Sequence, residues 1–323
     1  MRRLAGSELG SLDNFRFEDV AAPSPGPGQV RIRTSAVALG FVDGLITAGL
    51  YQMKPALPFV PGGEIGGVVD MVGSGVAGIQ PGARVVTWQL GGGLAEYVIV
   101  SASDVDAIPD MLDIATATAM LVDYQTARYA LLERGKLSAG ETVLVAGAAG
   151  GVGSAAIQIA RSYGAQVIAL ASNSAKQERA LEMGAHSALS PSKPSLREDL
   201  RRLAPDGVNI VFDPLGGVTS ELMFRSLAKD GRHLVVGFAS GTIPSIRANL
   251  ALVKSASLVG VDIRHYLAAY PDEAKQARFS LFEQVELRRL SGPLVTPFRF
   301  EQAKDALEAT GKRDRLGKLV VLM

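Results

Sequence analysis

The sequence predicts an α/β chain in which a doubly wound parallel sheet is joined to a smaller β-rich domain. Three observations carry that expectation. Residues 20–110 are cut by Gly and Pro into short β-rich runs. From about residue 115, apolar runs of strand length alternate with stretches of helical spacing. A glycine-rich turn joins the first of those runs to the helix that follows it. The length of 323 residues suits about two domains at roughly 100–200 residues each.

The elements follow in order. Residues 30–37, 65–72, 84–88 and 95–100 read as strands, separated by turn signals such as Gln80-Pro-Gly-Ala-Arg-Val85. Short strands at that spacing suggest a partly closed barrel. Residues 142–146 form an apolar run, and 151–163 follow at helical spacing, with Val152, Ala155, Ala156, Ile159 and Ala160 near one face. A second buried-type strand covers 166–171, and a helix at 175–183 ends at Gly184, a fitting C-cap. Helices are expected at 195–203 and 217–228, and strands at 209–212, 232–236 and 257–261. Strands that are apolar throughout are those of a parallel sheet covered on both faces. The tail reads as an amphipathic helix at 273–290, a short helix at 302–310 and a terminal strand at 318–322.

Composition excludes several classes. There are 33 Lys and Arg against 32 Asp and Glu, a net charge of +1, which offers no global field for nucleic acid or an anionic membrane. The absence of cysteine removes disulfides, thiolate nucleophiles, iron–sulfur clusters and Cys-based zinc sites. His186, His233 and His265 lie far apart with no metal-ligand spacing, so no metal is expected. No apolar run approaches the roughly 18 residues of a membrane helix. The N-terminal segment has two arginines but no apolar stretch behind them, so a cytoplasmic protein is expected.

The strongest chemical signal is the strand at 142–146 running into Gly147-Ala148-Ala149-Gly150-Gly151-Val152-Gly153. The spacing is GxxGxxG, related to the GxGxxG turn of dinucleotide-binding Rossmann folds. One glycine permits the tight turn, another lets backbone approach a pyrophosphate, and a third lets helix and strand pack closely. The pyrophosphate would meet unpaired N–H groups at the positive end of the helix dipole. The alternative is a packing turn without ligand. An NAD site usually ends its second strand with an acid that holds the ribose 2′-hydroxyl. Here that strand ends in Ser172, Asn173 and Ser174, followed by Lys176 and Arg179. Hydroxyls and cations suit a 2′-phosphate, so NADPH is the expected cofactor. The same serines and asparagine also fit a helix N-cap.

At these residues the chain resembles the zinc-free, quinone oxidoreductase (zeta-crystallin-like) branch of the medium-chain dehydrogenases/reductases. The resemblance spans essentially the whole sequence. It rests on Pro61-Gly-Gly-Glu-Ile-Gly-Gly67, Gln80-Pro-Gly-Ala-Arg-Val85, Gln125-Thr126-Ala127, the turn at 147–153, Asp213-Pro-Leu-Gly-Gly217, Val236-Gly-Phe-Ala-Ser-Gly241 and Gly317-Lys-Leu-Val-Val321. It implies a GroES-like β-barrel catalytic domain from 1–118, completed by 262–323, and an NADPH-binding Rossmann domain from 119–261. The family's acceptor site lies in the cleft between such domains. The resemblance also implies a homodimer joined through the strand at 257–261, from Ser257 to Val261. Zinc-dependent relatives show a His-Glu pair where this chain has Gly63-Glu64. Without a Lewis acid, alcohol oxidation loses its route to an alkoxide. Hydride delivery to a quinone or an α,β-unsaturated carbonyl needs less help, so an NADPH-dependent quinone oxidoreductase is expected.

The resemblance places Thr126, Phe238, Ala239, Ser240 and Lys318 near the cofactor. Packing of a helix, or a solvated strand charge, is the plainer role of Thr126 or Lys318. Tyr51 matches the tyrosine that enoyl-thioester reductases of the superfamily use as proton donor; its plainer role is an aromatic wall. Relatives often carry Asn where this chain has Gly40. Asp43 and Glu64 are expected to be structural. Two other readings stand beside quinone reduction: an enoyl reductase acting on a CoA or carrier-protein thioester with Tyr51 as acid, and an NADPH-binding protein without catalysis.

Overall fold

Alternating buried and exposed side chains draw the N-terminal part of the chain into antiparallel strands, and continuously apolar runs draw the middle into parallel ones. The computed structural model describes residues 1–312 and 314–323. Along it run β1 (Arg2–Gly6), β2 (Phe15–Asp19), β3 (Gln29–Leu39), α1 (Phe41–Thr47), β4 (Glu64–Val72), β5 (Arg84–Trp88), β6 (Tyr97–Ser101), β7 (Val105–Ala107) and α2 (Ile114–Met120). Next come α3 (Asp123–Arg128), β8 (Thr142–Val145), α4 (Gly151–Ser162), β9 (Gln166–Leu170), α5 (Ser174–Glu182), β10 (Ser187–Leu189), α6 (Leu196–Leu203) and β11 (Val208–Asp213). These are followed by α7 (Ser220–Arg225), β12 (Leu227–Val235), α8 (Ala248–Lys254) and β13 (Ser257–Gly260). The chain closes with α9 (Ile263–Ala269), α10 (Pro271–Glu286), β14 (Val295–Arg299), α11 (Ala303–Ala309) and β15 (Lys318–Leu322).

Contacts divide the chain into two units. The first comprises Met1–Val122, Arg278–Glu286 and Pro293–Met323. Its main sheet runs β14-β15-β3-β4-β5-β7, with β6 added to β3. The long strand β3 serves three neighbours because β6 pairs with residues 29–33 and β15 with residues 36–39, while β4 runs along residues 30–38 with two register shifts, between Arg31 and Ile32 and between Thr34 and Ala36. The C-terminal strand β15 is part of this unit's core: Leu319 and Val321 pack with Leu4, Phe15, Val37 and Leu39. Apolar burial of that kind contributes about 25 cal/mol per Å² removed from water.

The second unit comprises Asp123–Ala277 and Leu287–Gly292. Its sheet order is β10-β9-β8-β11-β12-β13, and every pairing is parallel. From β8 the chain winds outward through β9 to β10, then returns to start β11 on the other side of β8. That reversal between β8 and β11 is a topological switch point, where doubly wound sheets bind ligands beyond the carboxyl ends of their strands.

Four departures from the sequence-based expectations appear in the structure. The helix expected over 217–228 is confined to Ser220–Arg225, because Gly216 and Gly217 take positive φ of 65° and 81°. The strand expected at 232–236 begins at Leu227, with a register irregularity against β11 near Val208. β13 is an edge strand and largely exposed rather than covered on both faces. Residues 262–277, expected to complete the barrel domain, belong by contact to the second unit. The Tyr266 ring stacks on Tyr129 at 4.4 Å, and Gln125 Nε2 donates to Ala274 O at 2.7 Å.

Candidate active site

The glycine-rich turn sits at the carboxyl end of β8, at the switch point. Gly147 takes φ +59°, the left-handed region a tight turn requires. A Cβ on Gly153 would overlap the Gly147 carbonyl, so this glycine lets the helix start against the turn. A Cβ on Gly151 would overlap the Asp123 carboxylate. Those three glycines therefore have reasons within the fold itself. Gly150 differs: its Cβ would meet only Gly147 O, at an ordinary 3.4 Å. It is the N-cap of α4 and has no side chain to satisfy the first-turn amides of Gly151, Val152 and Gly153. An uncapped first turn of a twelve-residue helix is an anion site in the making. Ala148 and Ala149 are buried beneath it, and the Ala148 amide donates to Leu170 O at 3.2 Å.

At the end of β9, Ser172 and Asn173 are exposed and Lys176 is half-buried. Asn173 is the N-cap of α5, its Oδ1 accepting from the Lys176 amide at 3.0 Å. The capping role anticipated for this cluster is thus in place, and no acid lies between 171 and 175. Thr126, on α3, is buried, and its Oγ1 has no hydrogen-bond partner. Such an orphaned hydroxyl costs about 1–3 kcal/mol unless a ligand satisfies it.

The loop 238–241 is tied to the loop 213–217. The amides of Ala239 and Ser240 donate to Pro214 O at 3.1 Å and Leu215 O at 3.0 Å. Beneath them lies a buried polar cluster that motif reading passed over. Asp213 Oδ1 accepts from the amides of Leu215 and Gly216 at 3.0 and 2.9 Å. Its Oδ2 accepts from Ser220 Oγ at 2.7 Å and from His233 Nε2 at 3.1 Å. Burial works to raise the Asp213 carboxyl, but the bonds from His233, Ser220 and Gly216 outweigh it and hold it below the ordinary value. The available signal was an acid directly ahead of Pro214 and two glycines, a loop-anchoring pattern.

In the first unit, the residues around Gly40 form a different kind of cluster. Lys318 Nζ donates to Glu64 Oε1 at 2.6 Å, with both side chains about 5% exposed or less. Glu64 Oε2 accepts from the Val122 amide at 3.0 Å, and Asp43 Oδ2 from the Gly40 amide at 2.8 Å. Burial raises the Asp43 carboxyl, against the pull of Gly40 and Lys318. A Cβ on Gly40 would face Lys318 Nζ at 3.5 Å and Glu64 Oε1 at 3.9 Å, so the place of the missing asparagine side chain is lined by charges. Tyr51 is half-buried against the core of Leu39, Ile46 and Phe59, as an aromatic wall would be. The structure brings 147–153, 172–176, Thr126 and 238–240 into the second unit, while Tyr51 and Lys318 belong to the first.

A switch-point nucleotide turn and a barrel-type companion unit define the class: an oxidoreductase of dehydrogenase architecture. Residues 26–110 match the alcohol dehydrogenase GroES-like domain and residues 151–278 the zinc-binding dehydrogenase family. The cattle quinone oxidoreductase-like protein 2 is 35% identical, over 94% of this chain and 88% of its own. Human quinone oxidoreductase is 31% identical, over 97% and 96%. The structure of Escherichia coli quinone oxidoreductase complexed with NADPH superposes with a TM-score of 0.91 at 25% identity, covering 100% of both chains. The chain belongs to the medium-chain dehydrogenase/reductase family, among the quinone oxidoreductases.

The family's zinc does not fit these residues. The sequence has no cysteine, and among the described residues no three His, Asp or Glu side chains converge. Glu64, the carboxylate nearest the family position, is neutralised by a buried lysine.

Proposed function

We propose that the chain is an NADPH-dependent reductase of quinones or α,β-unsaturated carbonyls that uses no metal. The observation that carries the reading is the uncapped, glycine-started first turn of α4 at the switch point. The amides of Gly151, Val152 and Gly153 would hold the pyrophosphate. Ser172, Asn173 Nδ2 and Lys176 would hold the 2′-phosphate, where an acid would repel it. Thr126 would supply a hydroxyl, and the backbone at Phe238, Ala239 and Ser240 would orient the carboxamide. When bound, NADPH supplies the hydride. The chain's own contribution is positioning and exclusion of water, with Tyr51 walling the acceptor. Two such chains would join through β13.

The test is an equilibrium titration with NADPH and NADH, followed by NADPH consumption with 1,4-benzoquinone, 9,10-phenanthrenequinone, a 2-enal and crotonyl-CoA. Tighter binding of NADPH and turnover of the quinones or the enal support the reading. Turnover of crotonyl-CoA alone would transfer it to enoyl-thioester reduction.

A further inference from the structure

The second unit carries a cavity that the nucleotide site does not use. It holds about 150 Å³ and is lined by Arg197, Arg201, Arg225 and Lys254, against one acidic residue, Asp206. Its place follows from the topology. Residues 204–207 lead into β11, Ser226 precedes β12, and Lys254 ends α8 ahead of β13. The cavity therefore lies at the amino ends of these strands. The glycine turn lies at the carboxyl end of β8 in the same parallel sheet, a strand length of roughly 15–20 Å away.

Cations outnumber counter-charges there. Arg197 and Arg201 stand four residues apart on α6, a spacing at which like charges repel. Among the described residues neither has a carboxylate partner. Asp199, on the same helix, is taken by Lys193 at 2.8 Å and Arg202 at 3.4 Å. Arg225 shares Glu221 with Arg247. Lys254 Nζ donates to Leu227 O. Burial and the neighbouring Arg201 push the Lys254 ammonium below the ordinary lysine value. The helix dipole explains Arg201 and Lys254, which lie in last turns. It does not explain Arg197, in the first turn of α6, where a cation opposes the dipole.

We propose that this cavity binds a small phosphorylated metabolite, its phosphate dianion held by Arg197, Arg201 and Lys254. Guanidinium forks match phosphate oxygens two at a time, and the lysine adds a point charge. The volume takes a phosphoryl group with a short carbon chain, not a dinucleotide, and the Leu200, Pro205 and Leu227 lining gives that chain contacts which the free ion lacks.

Calorimetry on the nucleotide-free full chain tests this with two probes, glycerol 3-phosphate and inorganic phosphate. The ester is expected to bind saturably, more tightly than the free ion, and more weakly as NaCl is added. The Arg197→Ala/Arg201→Ala double variant and, independently, Lys254→Met should each weaken binding about tenfold or more, the worth of a charge-assisted hydrogen bond. The double variant's melting temperature should not fall, since it removes two like charges four residues apart. Lys254→Met also gives up the bond to Leu227 O, so its melting temperature should fall slightly while the double variant's does not. No saturable binding of either probe, or an unchanged Kd in both variants, would overturn the proposal. Equal affinity for inorganic phosphate would assign the cavity to the free ion and overturn the metabolite.

Discussion

Gly150 separates what the fold needs from what a ligand needs. Its Cβ would be tolerated sterically, and its φ of −78° and ψ of 170° are open to any residue. Gly150→Ala should therefore leave the melting temperature nearly unchanged while raising the Kd for NADPH about tenfold, the cost of one impaired backbone–phosphate hydrogen bond. Gly153→Ala should do both kinds of harm, because its Cβ meets backbone at Gly147; thermal unfolding and nucleotide titration of the pair read the difference. Asp213 makes a prediction in pH. Its carboxyl is depressed in the fold, so its stabilisation is present above the unfolded value of about 3.9 and is lost as pH falls through the folded one. Asp213→Asn should cost about 1–3 kcal/mol near neutrality, and that cost should shrink in acid, as measured by denaturant melts at several pH values. Tyr51→Phe should leave quinone turnover within about twofold if the ring only packs, since a proton donor contributes 10²-fold or more.

The elements with a strong period were legible. The strand, turn and helix from Thr142 to Ser162 were found because a buried parallel strand is uniformly apolar and its helix follows within the turn. The Rossmann sheet was readable for the same reason. α1, α2, α3, α8 and α9, each seven residues or fewer, were not, since two turns of helix leave little period to see, although α7 and α11 of the same length were read. The Glu64–Lys318 pair was invisible as a pair: it joins β4 to β15 across 254 residues of sequence, and only the fold brings them together. Its energetics are testable at this level. Lys318→Met alone leaves a buried unpaired carboxylate and should cost about 3–5 kcal/mol. The double variant Glu64→Gln/Lys318→Met should recover much of that loss in urea unfolding. Asp213 was quoted in a motif, but its link to His233, twenty residues on, depended on β11 and β12 lying side by side.

For the whole molecule, β13 leaves one edge of the six-stranded sheet without a neighbour, and Leu258 on it is 54% exposed. An open apolar edge invites pairing with another chain. If two copies join there, Leu258→Lys should shift the mass by light scattering from dimer to monomer; a dimer that survives the change lies elsewhere. No helix among the described residues is long and apolar enough to cross a membrane. The most direct measurement is fluorescence titration of the purified chain with NADPH and, separately, NADH. An anion-binding helix start beside an acid-free ribose site predicts saturable binding of both, with NADPH tighter by at least about tenfold, one charge-assisted contact. Binding of neither nucleotide, or tighter binding of NADH, would contradict it.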